Sequence, residues 1–424
     1  MASKRWSAQA LFRMLEPGLV TGAADDDPSG IATYSQGGAQ FGYSLGWTMF
    51  LTTPFMIAIQ MVSARIGAVT GQGLAANLGK AMPTTPLYGI VGLLLMANML
   101  NIAADIAAMG EALRLVIGGP GLAYVTAFGI GCLVAEIFIP YRRYARYLKG
   151  LTLVLFVYVA AAFSVRIPWG EVFEATFLPR LSLDRDFTLM LVAIFGTTIS
   201  PYMFFWQASL EVEDRRLRSR SAAPSVAKRL AQRDSFRIGL DTTTGMLLSN
   251  VIGFFIIVTT AATLRAHGKT HIGTAAEAAE ALRLLAGPLT FLLFSAGIIG
   301  TGLLAVPVLA GSAAYAVAET AGWEGSLEMP ARNAPGFYLI VAATMIAGLT
   351  GALTPLDPIR MLFWSAVFNG IVAVPLMIAM MFVVTNRKIM GKFTASPALT
   401  IVGFMRRSAH GRRCRVDVFD QHRS

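Results

Sequence analysis

Charge, sulfur and histidine are all scarce in this chain. Only 14% of its 424 residues are charged while 55% are hydrophobic; soluble domains carry roughly 25% charge. That balance excludes an ordinary water-soluble surface. Two cysteines are present, Cys132 in an apolar run and Cys414 in a basic C-terminal stretch. They fall in different compartments and lack metal-ligand spacing, so neither a structural disulfide nor a zinc site is expected. The four histidines, His267, His271, His410 and His422, lie outside the long apolar runs. None is therefore placed to relay protons near the middle of a membrane. Phosphate-loop, dinucleotide and nucleophile-elbow motifs are missing too, and no catalytic constellation is visible, so no enzyme and no cofactor are expected.

Long apolar runs are what the chain has in quantity. A helix needs ~20 such residues to cross a bilayer, and ten segments qualify: 17–43, 47–69, 87–117, 122–139, 148–165, 187–210, 238–264, 288–318, 337–353 and 361–384. Lys4 and Arg5 precede only a weak apolar run that flows into the first span, so no cleavable signal is expected. The net charge of +11 invites a nucleic-acid reading, but its distribution argues for a membrane. With the N-terminus inside, the inner segments hold 27 of the 35 Lys and Arg residues. This asymmetry predicts ten crossings of the cell's inner (plasma) membrane, with both termini cytoplasmic. The densest inner segment, 211–237, is expected to be a basic cytoplasmic loop.

Two spans carry an interruption. The first contains Ala24-Asp25-Asp26-Asp27-Pro28-Ser29-Gly30, three carboxylates followed by a helix breaker. A charge near the bilayer centre costs several kcal/mol, roughly 2.5–3.5 on insertion scales, and so points to function. The sixth contains Thr197-Thr198-Ile199-Ser200-Pro201-Tyr202. Five spans precede the outer segment 166–186 and five follow it, and the first of each five holds its break. Paired breaks of this kind point to a midplane site between two inverted repeats, here 1–165 and 187–384, with 385–424 as a basic tail.

Where a helix unwinds, carbonyls lose their helical partners and face the cavity. The C-terminal end of each first half-helix also carries partial negative charge. Carbonyls near Ala24 and Thr197, the Asp27 carboxylate and the hydroxyls of Thr197 and Ser200 make an all-oxygen donor set. Such donors suit Mg²⁺, Ca²⁺ or Mn²⁺. Asp25 and Asp26 are read as sources of local field, turned away from Asp27 by helix geometry. Tyr202 and Asn369 are candidate pathway residues. Asn98, Asn101 and Asp105 share one face of the third span, where Asp105 is either part of a proton route or a buried carboxylate bonded to a neighbouring helix. Glu211, Glu213 and Asp214 are read as a solvated helix end.

Asp27-Pro28-Ser29-Gly30-Ile31-Ala32 with Gly37-Gly38-Ala39-Gln40-Phe41-Gly42-Tyr43 resembles the first-span signature of the Nramp divalent-metal transporters. Gln60-Met61-Val62-Ser63-Ala64-Arg65-Ile66-Gly67, Thr70-Gly71 and Tyr141-Arg142-Arg143 extend the likeness over about residues 10 to 395. The resemblance implies an all-α polytopic membrane protein with the 5+5 inverted repeat of leucine-type symporters, broken at helices 1 and 6, with a metal site at the breaks. Departures from the pattern narrow it. Ordinary members read Asp-Pro-Gly-Asn in the first span, where this chain has Gly30 in place of Asn. They read Met-Pro-His in the sixth, and the Met thioether contacts the metal; here the stretch is Ser200-Pro201-Tyr202. Loss of the soft ligand resembles the Nramp-related magnesium transporter branch. The expected cargo is Mg²⁺, with Mn²⁺ as the alternative, carried by a monomer without obligatory proton coupling. A proton-coupled Mn²⁺/Fe²⁺ importer, and a channel or sensor on the same fold, are the competing readings. The family's eleventh span is expected to be lost through truncation or a frame shift, because Leu399-Thr400-Ile401-Val402-Gly403-Phe404 collapses into Met405-Arg406-Arg407.

Overall fold

The computed structural model describes residues 22, 24–139, 156–179, 181–182, 184–221, 224–270, 272, 288–391 and 394. The described residues form helices joined by short turns, and no strand occurs among them. Lipid leaves backbone polar groups no water to bond, so helices that satisfy their own N–H and C=O groups are the natural outcome of so apolar a chain.

In chain order the helices are α1 (Pro28–Phe41), α2 (Gly46–Thr70), α3 (Leu74–Ala81), α4 (Thr84–Ile117), α5 (Gly121–Phe138), α6 (Phe156–Ser164), α7 (Trp169–Phe177), α8 (Arg185–Thr198), α9 (Pro201–Ser221), α10 (Pro224–Thr263), α11 (Pro288–Ala321), α12 (Pro335–Ala352), α13 (Pro358–Thr385) and α14 (Arg387–Met390). Among the described residues, eight helical stretches are long and apolar enough to cross a membrane. The first of them, Pro28–Thr70, contains α1 and α2 joined by a 3₁₀ turn at Gly42–Leu45. It therefore covers the second half of the first expected span and all of the second. Of the fifth expected span, only α6 is described.

Local chemistry sets the helix starts. Asp184 precedes α8 and accepts from the N–H of Phe187 at 2.8 Å. The Ser182 hydroxyl and that N–H hold the exposed Asp184 carboxyl below the usual carboxylate range. Asp357 does the same for α13, accepting from Ile359 and Arg360 at 2.9 and 3.2 Å.

The basic segment 211–237 is largely helical: α9 continues to Ser221 and α10 begins at Pro224. Charge by itself does not end a helix, and the Arg, Leu, Ala and Gln that fill the segment are good helix formers. The outer segment 166–186 likewise contains α7. The Tyr141-Arg142-Arg143 motif and the apolar run at 399–404 lie outside the described residues.

Packing divides the helices into two groups. α4 is the hub of one, with α5, α11, α12 and α13 against it; in the other, α10 packs on α1 and α2, and α2 packs on α9. Small residues let backbones approach closely where the broken helices meet their neighbours. A Cβ on Gly196 of α8 would lie 2.0 Å from the Ala366 carbonyl of α13, and one on Gly38 of α1 would lie 2.3 Å from the Ile257 carbonyl of α10. Outward-facing Phe138, Leu339, Ile371 and Phe382 offer an apolar surface suited to lipid, whereas Trp206, Tyr202, Phe204 and Phe205 bury the whole start of α9.

At one end of the bundle, polar ties cross between the groups. Glu319 of α11 accepts from the N–H groups of Ala75 and Ala76 at 2.9 and 3.4 Å, and from the Ser209 hydroxyl of α9 at 2.9 Å. Nearby, Glu213 of α9 accepts from the Tyr315 and Ser326 hydroxyls. Glu211 is buried and accepts from Gln207 at 3.2 Å. The helix end read as solvated is therefore an internal junction for Glu211 and Glu213. In sequence their charge speaks for water, while the Tyr315 and Ser326 hydroxyls that hold Glu213 come from distant segments.

Candidate functional site

Both interruptions occur at their expected places. Gly22, Ala24 and Asp25 are helical, Asp26 bends, and Asp27 adopts an extended conformation before α1 starts at Pro28. In the other break, α8 ends at Thr198, Ile199 leaves helical geometry with ψ 63°, and α9 starts at Pro201. Proline cannot donate a backbone hydrogen bond. The carbonyl four residues earlier therefore loses its helical donor, and in the two breaks that carbonyl belongs to Ala24 and to Thr197.

Neither carbonyl stands bare. The Tyr202 hydroxyl donates to the Ala24 carbonyl at 2.8 Å, and the Ser200 hydroxyl donates to the Thr197 carbonyl at 2.7 Å. Ser200 also lies 3.2 Å from the Gly196 carbonyl. Donor groups that the sequence suggested would face a ligand thus spend part of their capacity on one another. Burial accounts for this, since an unpaired polar group away from water costs about 1–3 kcal/mol.

The three adjacent aspartates diverge. Asp27 caps α1, its Oδ1 accepting from the Gly30 N–H at 2.8 Å. Asp25 and Asp26 face α10, where the Ser249 hydroxyl lies 2.9 Å from one Asp25 oxygen and 3.1 Å from one Asp26 oxygen. That hydroxyl has one proton to give, and the remaining oxygens, Asp25 Oδ1 and Asp26 Oδ2, have no partner. All three side chains are 1% exposed. Among the described residues, no three His, Cys, Asp or Glu side chains converge to hold a metal. An ion at the breaks would meet one carboxylate with hydroxyls and carbonyls, not a carboxylate cage.

The two breaks touch through Gly30 and Thr197. A Cβ at Gly30 would lie 3.2 Å from the Thr197 hydroxyl oxygen. Space that a side chain at position 30 would fill is therefore taken by Thr197, whose Oγ1 is buried without a partner. A second bridge joins the breaks, as Tyr34 of α1 donates at 3.0 Å to Thr198, which itself donates to Ile194.

Other candidates fall around this centre. Asp105 and Asn101 of α4 are fully buried with unpartnered side-chain oxygens, and Asp105 lies within electrostatic reach of Asp27 and Tyr202. The bond to a neighbouring helix, one of the two readings of Asp105, is not formed. Asn98 makes that kind of contact, donating to the Leu309 carbonyl and Ser312 hydroxyl of α11 at 2.9 and 2.8 Å. Asn369 of α13 is 1% exposed, with both amide atoms unpartnered. Gln36 bonds Gln40 on its own helix and the Ile272 N–H beyond α10. Ser249 was not singled out from the sequence, because a lone serine in an apolar helix gives no periodic or motif signal.

A family model described as "Natural resistance-associated macrophage protein-like", or Nramp, matches residues 18–407. The chain belongs to the Nramp family. Among curated relatives, a protein of Mycobacterium leprae named divalent metal cation transporter MntH is 25% identical over 408 residues, covering 92% of this chain and 88% of its own. A protein of the same name from Caldanaerobacter subterraneus is 24% identical over 407 residues, covering 93% and 90%. Among solved structures, the Nramp chain resembles a manganese transporter of Eremococcus coleocola with a TM-score of 0.68 at 15% identity, covering 95% of this chain and 85% of that one. A transporter of the nucleobase-cation-symport-1 family follows with a TM-score of 0.55 at 11% identity, covering 82% and 74%. At these identities the likeness establishes the fold: the leucine-transporter type, with its first and sixth helices broken.

Proposed function

We propose that this Nramp protein carries divalent metal cations across the plasma membrane, with Mg²⁺ as its preferred cargo and Mn²⁺ as a second. The observation that carries the reading is the juxtaposition of the two breaks: Asp27 on one, Thr197 and Ser200 on the other, and oxygen as every donor. Mg²⁺ sheds water reluctantly and is commonly held through one or two carboxylates with waters retained. A site with one capped carboxylate, and with Ser200 where ordinary members have their methionine, suits that habit better than it suits a soft transition metal.

In this reading Asp27 supplies the charge, Thr197 and Ser200 supply neutral oxygens, and Asp25 and Asp26 add negative field from the α10 side. Transport proceeds by alternating access, with the group containing α1, α2, α9 and α10 moving against the group around α4. The termini lie in the cytoplasm and the monomer is the working unit. A membrane potential contributes ~2.3 kcal/mol per charge per 100 mV, so a divalent cation gains about 4.6 kcal/mol without a coupled proton.

Proton-coupled Mn²⁺ import is the second reading. The manganese transporter among the structural relatives and the unpartnered Asp105 carboxylate favour it. Proteoliposomes scored together for Mg²⁺, Mn²⁺ and proton flux separate the two. Mg²⁺ uptake without internal acidification, abolished by Asp27→Ala, is the expected result. Unchanged Mg²⁺ flux in Asp27→Ala sinks the first reading, and metal-dependent acidification establishes the second.

A further inference from the structure

Each proline at a break strips one carbonyl of its helical donor, and each of those carbonyls is taken up by a hydroxyl. The two hydroxyls differ in reach. Ser200 bonds Thr197 three residues earlier in the same break. Tyr202 crosses from the first turn of α9 to the end of the first half-helix, 178 residues away in sequence. Its ring is fully buried, so the hydroxyl has no water to exchange with and little freedom to point elsewhere.

We propose that Tyr202 is a specificity-determining residue: by engaging the Ala24 carbonyl, it withholds that oxygen from a cation at the breaks. The inference rests on the reading of these breaks as the ion site. A carbonyl has two lone pairs, so Tyr202 does not wall off every approach to Ala24. What it does is draw the oxygen's partial charge into a hydrogen bond and fix the direction of the carbonyl toward α9. The incoming ion then finds the Asp27 carboxylate and the unpartnered Thr197 hydroxyl, with its own water making up the rest. An ion that exchanges water for protein oxygen readily loses the benefit of a strong carbonyl ligand, whereas Mg²⁺, which keeps several waters, loses little. Tyr202 acts through Ala24 and needs no contact with the metal. Specificity here is a difference between two affinities, achieved by denying a contact to the competitor.

Tyr202→Phe keeps the ring and removes the hydroxyl. Wild type, Tyr202→Phe and Asp27→Ala are reconstituted into vesicles, and initial uptake of Mg²⁺ and Mn²⁺ is measured at equal concentrations. Tyr202→Phe is expected to raise the Mn²⁺/Mg²⁺ uptake ratio roughly tenfold, the effect of about one hydrogen bond, mainly by a gain in Mn²⁺ uptake. A ratio within about twofold of wild type, or an equal fall in both fluxes, overturns the role and leaves Tyr202 as a brace between half-helices. If Tyr202→Phe does not enter vesicles, the rise in unfolding temperature on adding Mg²⁺ or Mn²⁺ to detergent-purified protein reads the same preference. A larger Mn²⁺ shift in the variant supports the proposal, and equal shifts in variant and wild type overturn it. The Asp27→Ala arm separates two failures. Loss of both fluxes there with an unmoved ratio in Tyr202→Phe removes only the role of Tyr202, whereas persistence of both fluxes in Asp27→Ala removes the ion-site reading itself.

Discussion

The two breaks are alike in backbone and opposite in charge. Each is made by a proline that orphans the carbonyl four residues before it, and each orphan accepts a hydroxyl. Yet the first break carries three buried carboxylates, while the second carries threonines, a serine and a tyrosine and no charge at all. The backbone break is thus a generic device for freeing a carbonyl at a helix end. In the proposed ion site, attraction for a cation would reside in one half only, and the other half would decide which oxygens that cation meets.

Substitutions can break or sharpen this contrast. The largest effect belongs to the charged side: Asp27→Ala should lower divalent uptake on the order of 100-fold, as expected when about 3 kcal/mol of ion affinity is lost. Removing neutral oxygen from the other side should cost far less. Thr197→Val is expected to reduce uptake by roughly tenfold or under, and equal losses in the two variants would erase the distinction between the breaks. Next come the prolines. Pro201→Ala restores an N–H to the reach of Thr197 and should let α8 and α9 close toward one helix, slowing uptake while raising the unfolding temperature. Pro28→Ala should stiffen its break less, because Asp27 still caps α1 and holds it open. Faster uptake in Pro201→Ala would count against a working break there. The smallest change expected in transport is that of Ser249→Ala. It takes the shared donor from Asp25 and Asp26, so stability should fall by about 1–3 kcal/mol. Thermal unfolding in detergent measures this, and an unchanged midpoint would show that the two carboxyls do not depend on Ser249.

Helices were legible in the sequence because lipid leaves an apolar chain few alternatives, and the breaks were legible because proline acts locally. Asp27, Thr197 and Ser200 could be named from their places beside Pro28 and Pro201. Local reading failed where a partner comes from far along the chain. Nothing near residue 249 announces that Asp25 and Asp26 need its hydroxyl, and nothing near residue 24 announces Tyr202. Glu213 escapes a local reading for the same reason, since a carboxylate at a helix end looks solvated until Tyr315 and Ser326 arrive. The helices that run into 211–237 have no apolar periodicity to announce them, although arginine-rich stretches form helices readily.

Glu319 sits so close to the turn before α3 that a Cβ on Gly73 would lie 1.6 Å from its carboxylate oxygen. Two helices converge on that one side chain, but they do not hold it alike. Two backbone N–H groups grip it from α3, while from α9 the Ser209 hydroxyl donates to it and Arg216 acts on it electrostatically. In the alternating access proposed above, a swing of α9 would cost the carboxyl group a single hydrogen bond and leave its anchorage on α3 in place. The fastening would work like a hook left on the doorframe: opening would not strand a bare acid inside the protein, and the same tie could be undone and remade in every cycle.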